Sequence, residues 1–266
     1  MADVAERAAP GAPFITGSSL VELRSVSKSF ANGTVALQNL DLSIGAHAFV
    51  ALLGPSGCGK STALRLIANL SQPTSGEVAW SEPPERGSIG FVFQEPTLMP
   101  WATVFDNVYL PLKLAGRPKS DVRDRIAHAL SMVGLDEFAN AFPRELSGGM
   151  KMRVSIARAI VTEPKVLLMD EPFAALDEIT RFRLNNDLLR LWQAHSWTVI
   201  FVTHSVYESV YLAQRIVVMA ARPGRVVSDI PIDTPYPRGD DFRASPAYNE
   251  ACRQVSNELH RAMGEP

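Results

Sequence analysis

Three unbroken apolar runs mark the second half of the chain, Val166-Leu167-Leu168-Met169, Val199-Ile200-Phe201-Val202 and Ile216-Val217-Val218-Met219, and a fourth, Phe49-Val50-Ala51-Leu52-Leu53, lies far upstream. Short β-prone runs with no polar alternation predict strands buried on both faces, as a parallel sheet between helices requires. Leu184, Leu188, Leu191 and Trp192 recur at helical spacing between two of these runs, so the pattern is βαβ and predicts a parallel α/β core. Upstream, Leu20-Val21-Glu22-Leu23 and the stretch from Ala36 to Ile44 alternate apolar with polar residues. They predict a small antiparallel β layer, turned at Asn32-Gly33.

The texture changes between Pro96 and Val161, where helical periods replace strand-like runs. Val122, Ile126, Ala129, Leu130 and Val133 form one stripe, with Ser120-Asp121 as the expected N-cap and Gly134 as the stop. This stretch, about 96–161, is expected to be an α-helical subdomain inserted in an α/β domain spanning 19–225. Residues 1–18, rich in Ala, Pro and Gly without periodicity, are expected to be a disordered leader. In the extension 226–266, Pro231, Pro235 and Pro237 predict a path wandering over the surface. A terminal helix follows, with Tyr248, Cys252, Val255, Leu259 and Met263 on one core-seeking face.

Composition narrows the functional classes. A formal charge of −2 and 46% apolar residues over 266 positions describe an ordinary globular chain and give no electrostatic footprint for nucleic acid. The two cysteines, Cys58 and Cys252, form neither a disulfide framework nor a metal-ligand spacing. No apolar run is long enough to span a bilayer, so service to a membrane would have to go through a partner.

The chemistry begins where the first buried run ends. Gly54-Pro55-Ser56-Gly57-Cys58-Gly59-Lys60-Ser61-Thr62 fits G-x-x-x-x-G-K-[ST] between a strand and a helix, the context a phosphate-cradling loop needs. Its backbone N–H groups would form a nest for phosphate oxygens at the positive end of the following helix. Lys60 would reach the β- and γ-phosphates and Ser61 would offer its hydroxyl to Mg²⁺. Asp170-Glu171 closes another buried run with adjacent carboxylates, one to help hold Mg²⁺ and one to polarise an attacking water. Read alone, such a pair is more often a helix N-terminal charge; downstream of a phosphate loop the catalytic reading is favoured. Leu146-Ser147-Gly148-Gly149-Met150 opens a helix and offers a second anion site of bare N–H groups beside a hydroxyl, or a simple cap.

Taken together, Gly54 to Thr62, Gln94, Leu146 to Gly149, Val166 to Glu171, Ala174-Leu176-Asp177 and His204 resemble, in order and spacing, the Walker A, Q-loop, signature, Walker B, D-loop and H-loop of an ABC-type ATPase. The resemblance covers about residues 20–225 and implies a P-loop NTPase fold with ATP and Mg²⁺ as ligands. It further implies a head-to-tail dimer in which Ser147, Gly148 and Gly149 of one copy touch the γ-phosphate on the other, with Asp177 in the connecting D-loop. By the same resemblance Gln94 joins Ser61 and Asp170 at Mg²⁺ and the water, and His204 contacts the γ-phosphate beside Glu171. Phe30 corresponds to the aromatic that stacks on adenine, with an ordinary core Phe as the competing reading. Met150, Ala174 and Ser205 depart from the common pattern without removing a phosphate or metal ligand.

Gln94-Glu95-Pro96-Thr97-Leu98-Met99-Pro100-Trp101 and the stretch from Tyr211 to Arg225 are similar to ATPases of nitrate, sulfonate or taurine importers. That similarity implies a peripheral subunit at the cytoplasmic face of the inner membrane, docked on a separate permease and served indirectly by a periplasmic or lipid-anchored solute-binding protein. The permease would be received near Pro96 to Leu114, including Trp101. The alternative is an ATP-gated clamp or a non-hydrolysing scaffold outside transport, for which neither coiled-coil heptads nor a second motif set is visible.

Overall fold

The computed structural model describes residues 19–221 and 223–264, so the expected leader and Arg222 lie outside the described residues. In chain order the elements are β1 (Ser19–Ser29), β2 (Val35–Gly45), β3 (Phe49–Leu53), α1 (Lys60–Ile67), β4 (Ser75–Trp80) and β5 (Ile89–Val92). Helices α2 (Val104–Leu114), α3 (Arg123–Met132) and α4 (Gly148–Ile160) follow, then β6 (Val166–Asp170), α5 (Glu178–His195) and β7 (Thr198–Thr203). The chain continues through α6 (Val206–Leu212), β8 (Arg215–Ala220), β9 (Arg225–Pro231), α7 (Asp240–Arg243) and α8 (Pro246–Met263).

Two sheets result. A six-stranded sheet runs β5-β6-β7-β3-β8-β9, parallel throughout except for β9, and an antiparallel three-stranded sheet runs β2-β1-β4. Every residue of β3, β6, β7 and β8 is buried, the two-sided burial expected of their continuous apolar runs. Alternation along β3 divides the core. Phe49, Ala51 and Leu53 join a cluster with Val108, Ile126, Leu184 and Val255, whereas Val50 and Leu52 join one with Val21, Leu23, Leu64 and Ile67. The sheet thus has the helical layers on one face and the small β layer with α1 on the other.

The helices α2, α3 and α4 leave the sheet at the end of β5 and return at β6, its hydrogen-bonded neighbour. The expected cap of α3 is not made. Ser120 Oγ donates to Asp121 Oδ1 at 2.7 Å, and the helix starts later, at Arg123, so that the N-cap position falls on Val122, whose side chain cannot cap it. Gly134 does take the left-handed turn that ends it, at φ 66°.

The extension departs from its expected surface path. Arg225 to Pro231 pair with β8 as an edge strand, where a terminal proline costs no ladder bond. Beyond it Arg238 is buried, its Nη1 donating to the carbonyls of Val210, Tyr211 and Ala213. In α8, Tyr248, Cys252 and Val255 pack into the main core against α6 and β8, while Met263 at the helix end is exposed.

Candidate functional site: a phosphate loop at the carboxyl ends of three strands

The site is built at one edge of the parallel sheet. The register pairs Leu53 with Thr203 and Asp170 with Val202, which brings the carboxyl ends of β3, β6 and β7 side by side. Residues far apart in sequence thereby meet where a doubly wound sheet places its ligands.

Residues 54–59 carry the chain from β3 into α1. Gly59 sits at φ 92°, and a Cβ there would stand 2.6 Å from Leu37 Cδ2 and 2.8 Å from the Ala36 carbonyl oxygen, so no other residue fits. No side chain caps α1, which leaves its first N–H groups available to an anion. Lys60 is buried, and its Nζ donates to the carbonyls of Gly54 at 2.7 Å and Pro55 at 3.0 Å. Cys58 is also buried, and desolvation pushes its thiol above the ordinary range, which leaves it a poor nucleophile.

The acidic pair lies opposite. Asp170 Oδ1 accepts from Ser61 Oγ at 2.7 Å, and burial raises the Asp170 carboxyl above its ordinary value, with the Ser61 hydrogen bond opposing the rise. Glu171 takes a left-handed backbone at φ 46°, which turns its side chain out of the strand's alternation. Its Oε1 stands 3.6 Å from Lys60 Nζ and its Oε2 stands 3.3 Å from His204 Nδ1. The two neighbouring carboxylates thus have different partners, Ser61 for Asp170 and Lys60 and His204 for Glu171. Ser61 and Asp170 offer paired hard oxygens at a helix start, a donor set that suits Mg²⁺.

Of the other expected residues, Gln94 lies just beyond β5, is exposed and makes no side-chain hydrogen bond among the described residues. Phe30 is 45% exposed at the tip of the β1–β2 hairpin rather than in the core, with Lys28 Nζ 5.7 Å from its ring centre. That hairpin leans on the phosphate loop through Ala36 and Leu37. Ser147 caps α4, its Oγ accepting from the Met150 N–H at 3.2 Å. Asp177 caps α5, accepting from the Thr180 N–H at 2.9 Å, a bond that holds its carboxyl below the usual range. Among the described residues no hydrogen bond joins Ser147 to Lys60, Ser61, Asp170 or Glu171. Periodicity and motif spacing carry no sign of Arg181 and Glu208, which the fold brings face to face between α5 and α6, with Glu208 bonded to Thr203 just before His204. Their only trace is a buried, charged position inside the apolar helix α6.

A profile of the ABC transporter family matches residues 37–174. An ATP-binding protein of Brucella abortus is 49% identical over 231 residues, covering 86% of this chain and 89% of the relative. The aliphatic sulfonates import ATP-binding protein of Pseudomonas savastanoi pv. phaseolicola is 44% identical over 246 residues, 92% of this chain and 98% of that protein. The dimeric structure of a post-hydrolysis state of an ATP-binding cassette bound to ADP and Pi superposes with a TM-score of 0.71 at 35% identity, covering 81% of this chain and all of the other.

Proposed function

Because this chain belongs to the ABC transporter ATP-binding family, we propose that it is the ATP-hydrolysing subunit of an importer for an aliphatic sulfonate or a related small solute such as nitrate or taurine. One observation carries the reading: Lys60, Ser61, Asp170, Glu171 and His204 converge at the ends of adjacent strands, joined by contacts of 2.7, 3.3 and 3.6 Å. In this reading the nest of residues 54–62 holds the ATP phosphates, Lys60 neutralises the β- and γ-phosphates and Phe30 faces adenine. Ser61, Gln94 and Asp170 would hold Mg²⁺, which supplies charge neutralisation on the phosphate oxygens.

Glu171 acts as general base toward the attacking water, and His204, which lies against the same carboxylate, donates to the γ-phosphate. Ser147, Gly148 and Gly149 of a second copy complete the site, with Asp177 at the seam between copies. The dimeric cassette to which this chain is similar supports that arrangement. The named sulfonate importer relative supports a place on the cytoplasmic face of an inner-membrane permease, fed by a solute-binding protein, over a role as a clamp or scaffold. No helix among the described residues is long and apolar enough to cross a membrane, so in this reading the channel belongs to the permease.

The test is Glu171→Gln. Loss of the general base is expected to slow hydrolysis by roughly 10²- to 10⁴-fold while MgATP binding persists, trapping an ATP-bound dimer on a sizing column. Turnover at the wild-type rate would remove Glu171 from the role.

A further inference from the structure

Glu208 is a charged residue on the buried side of α6, 8% exposed, with Ser209 to Leu212 buried after it and Tyr207 exposed before it. Its Oε2 accepts from Thr203 Oγ1 at 2.5 Å, and that same hydroxyl oxygen accepts from the Ser205 N–H at 3.0 Å. The carboxylate thereby braces the residues on either side of His204. Its other oxygen, Oε1, stands 3.8 Å from Arg181 Nε, and both atoms are buried with no hydrogen-bond partner among the described residues. Desolvation raises the Glu208 carboxyl, and the Thr203 hydrogen bond, followed by the Arg181 charge, opposes the rise.

Arg181 looks the other way as well. Its Nη2 donates to the Leu176 carbonyl at 2.9 Å, one residue before the Asp177 cap. Leu176 and Thr180 in turn lie under the start of α4. A Cβ on Gly148 would meet Leu176 Cδ2 at 3.5 Å, and one on Gly149 would meet Thr180 Cγ2 at 2.5 Å. Within one chain there is therefore a path of neighbours from Gly148, through Leu176 and Arg181, to Glu208, Thr203 and the His204 turn.

We infer that Arg181 and Glu208 are positioning residues that link the Ser147–Gly149 segment to the His204–Glu171 pair of the same chain, so that engagement at one nucleotide sets the geometry at the other. The inference rests on the composite-site reading above, in which the two ends of the path serve different ATP molecules. The 3.8 Å gap between Arg181 Nε and Glu208 Oε1, the one unbonded atom on each of these opposite-charge groups that faces the other, is short enough to close with a small rotation of α5 against α6. Such closure would satisfy both atoms at once, and a planar guanidinium can hold Leu176 and Glu208 together where an ammonium cannot.

The experiment measures kcat and KM for MgATP in the full chain carrying Arg181→Met, Glu208→Gln or both. Each single change should lower kcat about tenfold, equivalent to about 1.4 kcal/mol, with KM within about twofold. The double variant should be no slower than either single, because both break one link. Either single within about twofold of wild-type kcat, losses that multiply in the double, or a change confined to KM would overturn the link. Glu208→Gln is nearly isosteric and keeps an acceptor for Thr203, so it decides alone if Arg181→Met does not fold. Failure of the underlying reading looks different: wild-type activity per chain would then be independent of protein concentration, and Glu171→Gln would stay monomeric with ATP.

Discussion

Lys60 Nζ and Glu171 Oε1 stand 3.6 Å apart across the mouth of the phosphate loop, joining the helix that follows β3 to the end of β6. The ammonium's other bonds go to the carbonyls of Gly54 and Pro55 and to the Cys58 sulfur, so the same cation is poised between the nest and the proposed base. A phosphate entering the nest would share that cation with Glu171. In the proposed mechanism, binding and water activation would thus be tied to one side chain.

A mixed-dimer experiment separates the two halves of the composite site. Lys60→Met abolishes phosphate binding in its own loop but leaves Ser147 intact, while Ser147→Arg blocks the capping segment and leaves the loop intact. Each variant alone is expected to be inactive. Equal mixing makes half the dimers hybrid, each with one sound site, so activity should recover to at most about a quarter of wild type, and to less by the amount that the blocked Ser147 segment acts on its own chain's His204–Glu171 pair. Recovery is read by phosphate release, and none would argue against sharing between copies.

The buried Asp170 predicts a pH-dependent exchange of stability for function. Its native pKa is raised above the unfolded value, so the native state holds the proton more tightly. Stability contributed by this group is therefore lost as pH rises from the ordinary carboxylate range through the raised native value. Asp170→Asn removes that loss. Thermal melts of the nucleotide-free chain should show variant and wild type alike near about pH 4, with the variant gaining relative stability toward about pH 7. Added MgATP should stabilise wild type strongly and the variant little. A relative stability that does not change with pH would count against the burial argument.

Trp101 is 77% exposed, in the segment between β5 and α2. As a permease anchor it should behave as an interface hot spot, worth about 2 kcal/mol or more on truncation, or roughly thirtyfold in affinity. Trp101→Ala is expected to leave the ATPase rate in detergent unchanged and to lose the permease on affinity purification. Unchanged co-purification would exclude this residue from the docking surface.

The parallel core and its loop were legible because burial on both faces leaves nothing but apolar residues in Phe49 to Leu53 or Val199 to Val202, and because phosphate binding demands glycines at fixed spacing. Strands with weaker demands went unread. Ser75 to Trp80 is an edge strand that is half exposed, Ile89 to Val92 is four residues with a glycine inside, and Arg225 to Val227 is partly solvated and leads to a proline. Edge strands tolerate polar and kinked residues, so their composition resembles loops. Arg181 and Glu208 escaped for a different reason: they meet through the packing of α5 on α6, and no local spacing encodes a contact between helices.

The attachment of α2, α3 and α4 has a consequence for how such chains can be rebuilt. The segment departs and returns between two neighbouring strands, and its exposed aromatic lies outside the ladder that aligns Leu53, Asp170 and Thr203. An exchange of the stretch from Pro96 to Leu114 with that of a relative would leave every strand pairing of the six-stranded sheet in place. If the chain drives a permease as proposed, this stretch is its replaceable coupling, and a graft that keeps the buried Val104, Asn107, Val108 and Leu112 would reassign the partner while the strand ends around the phosphate loop stay as they are.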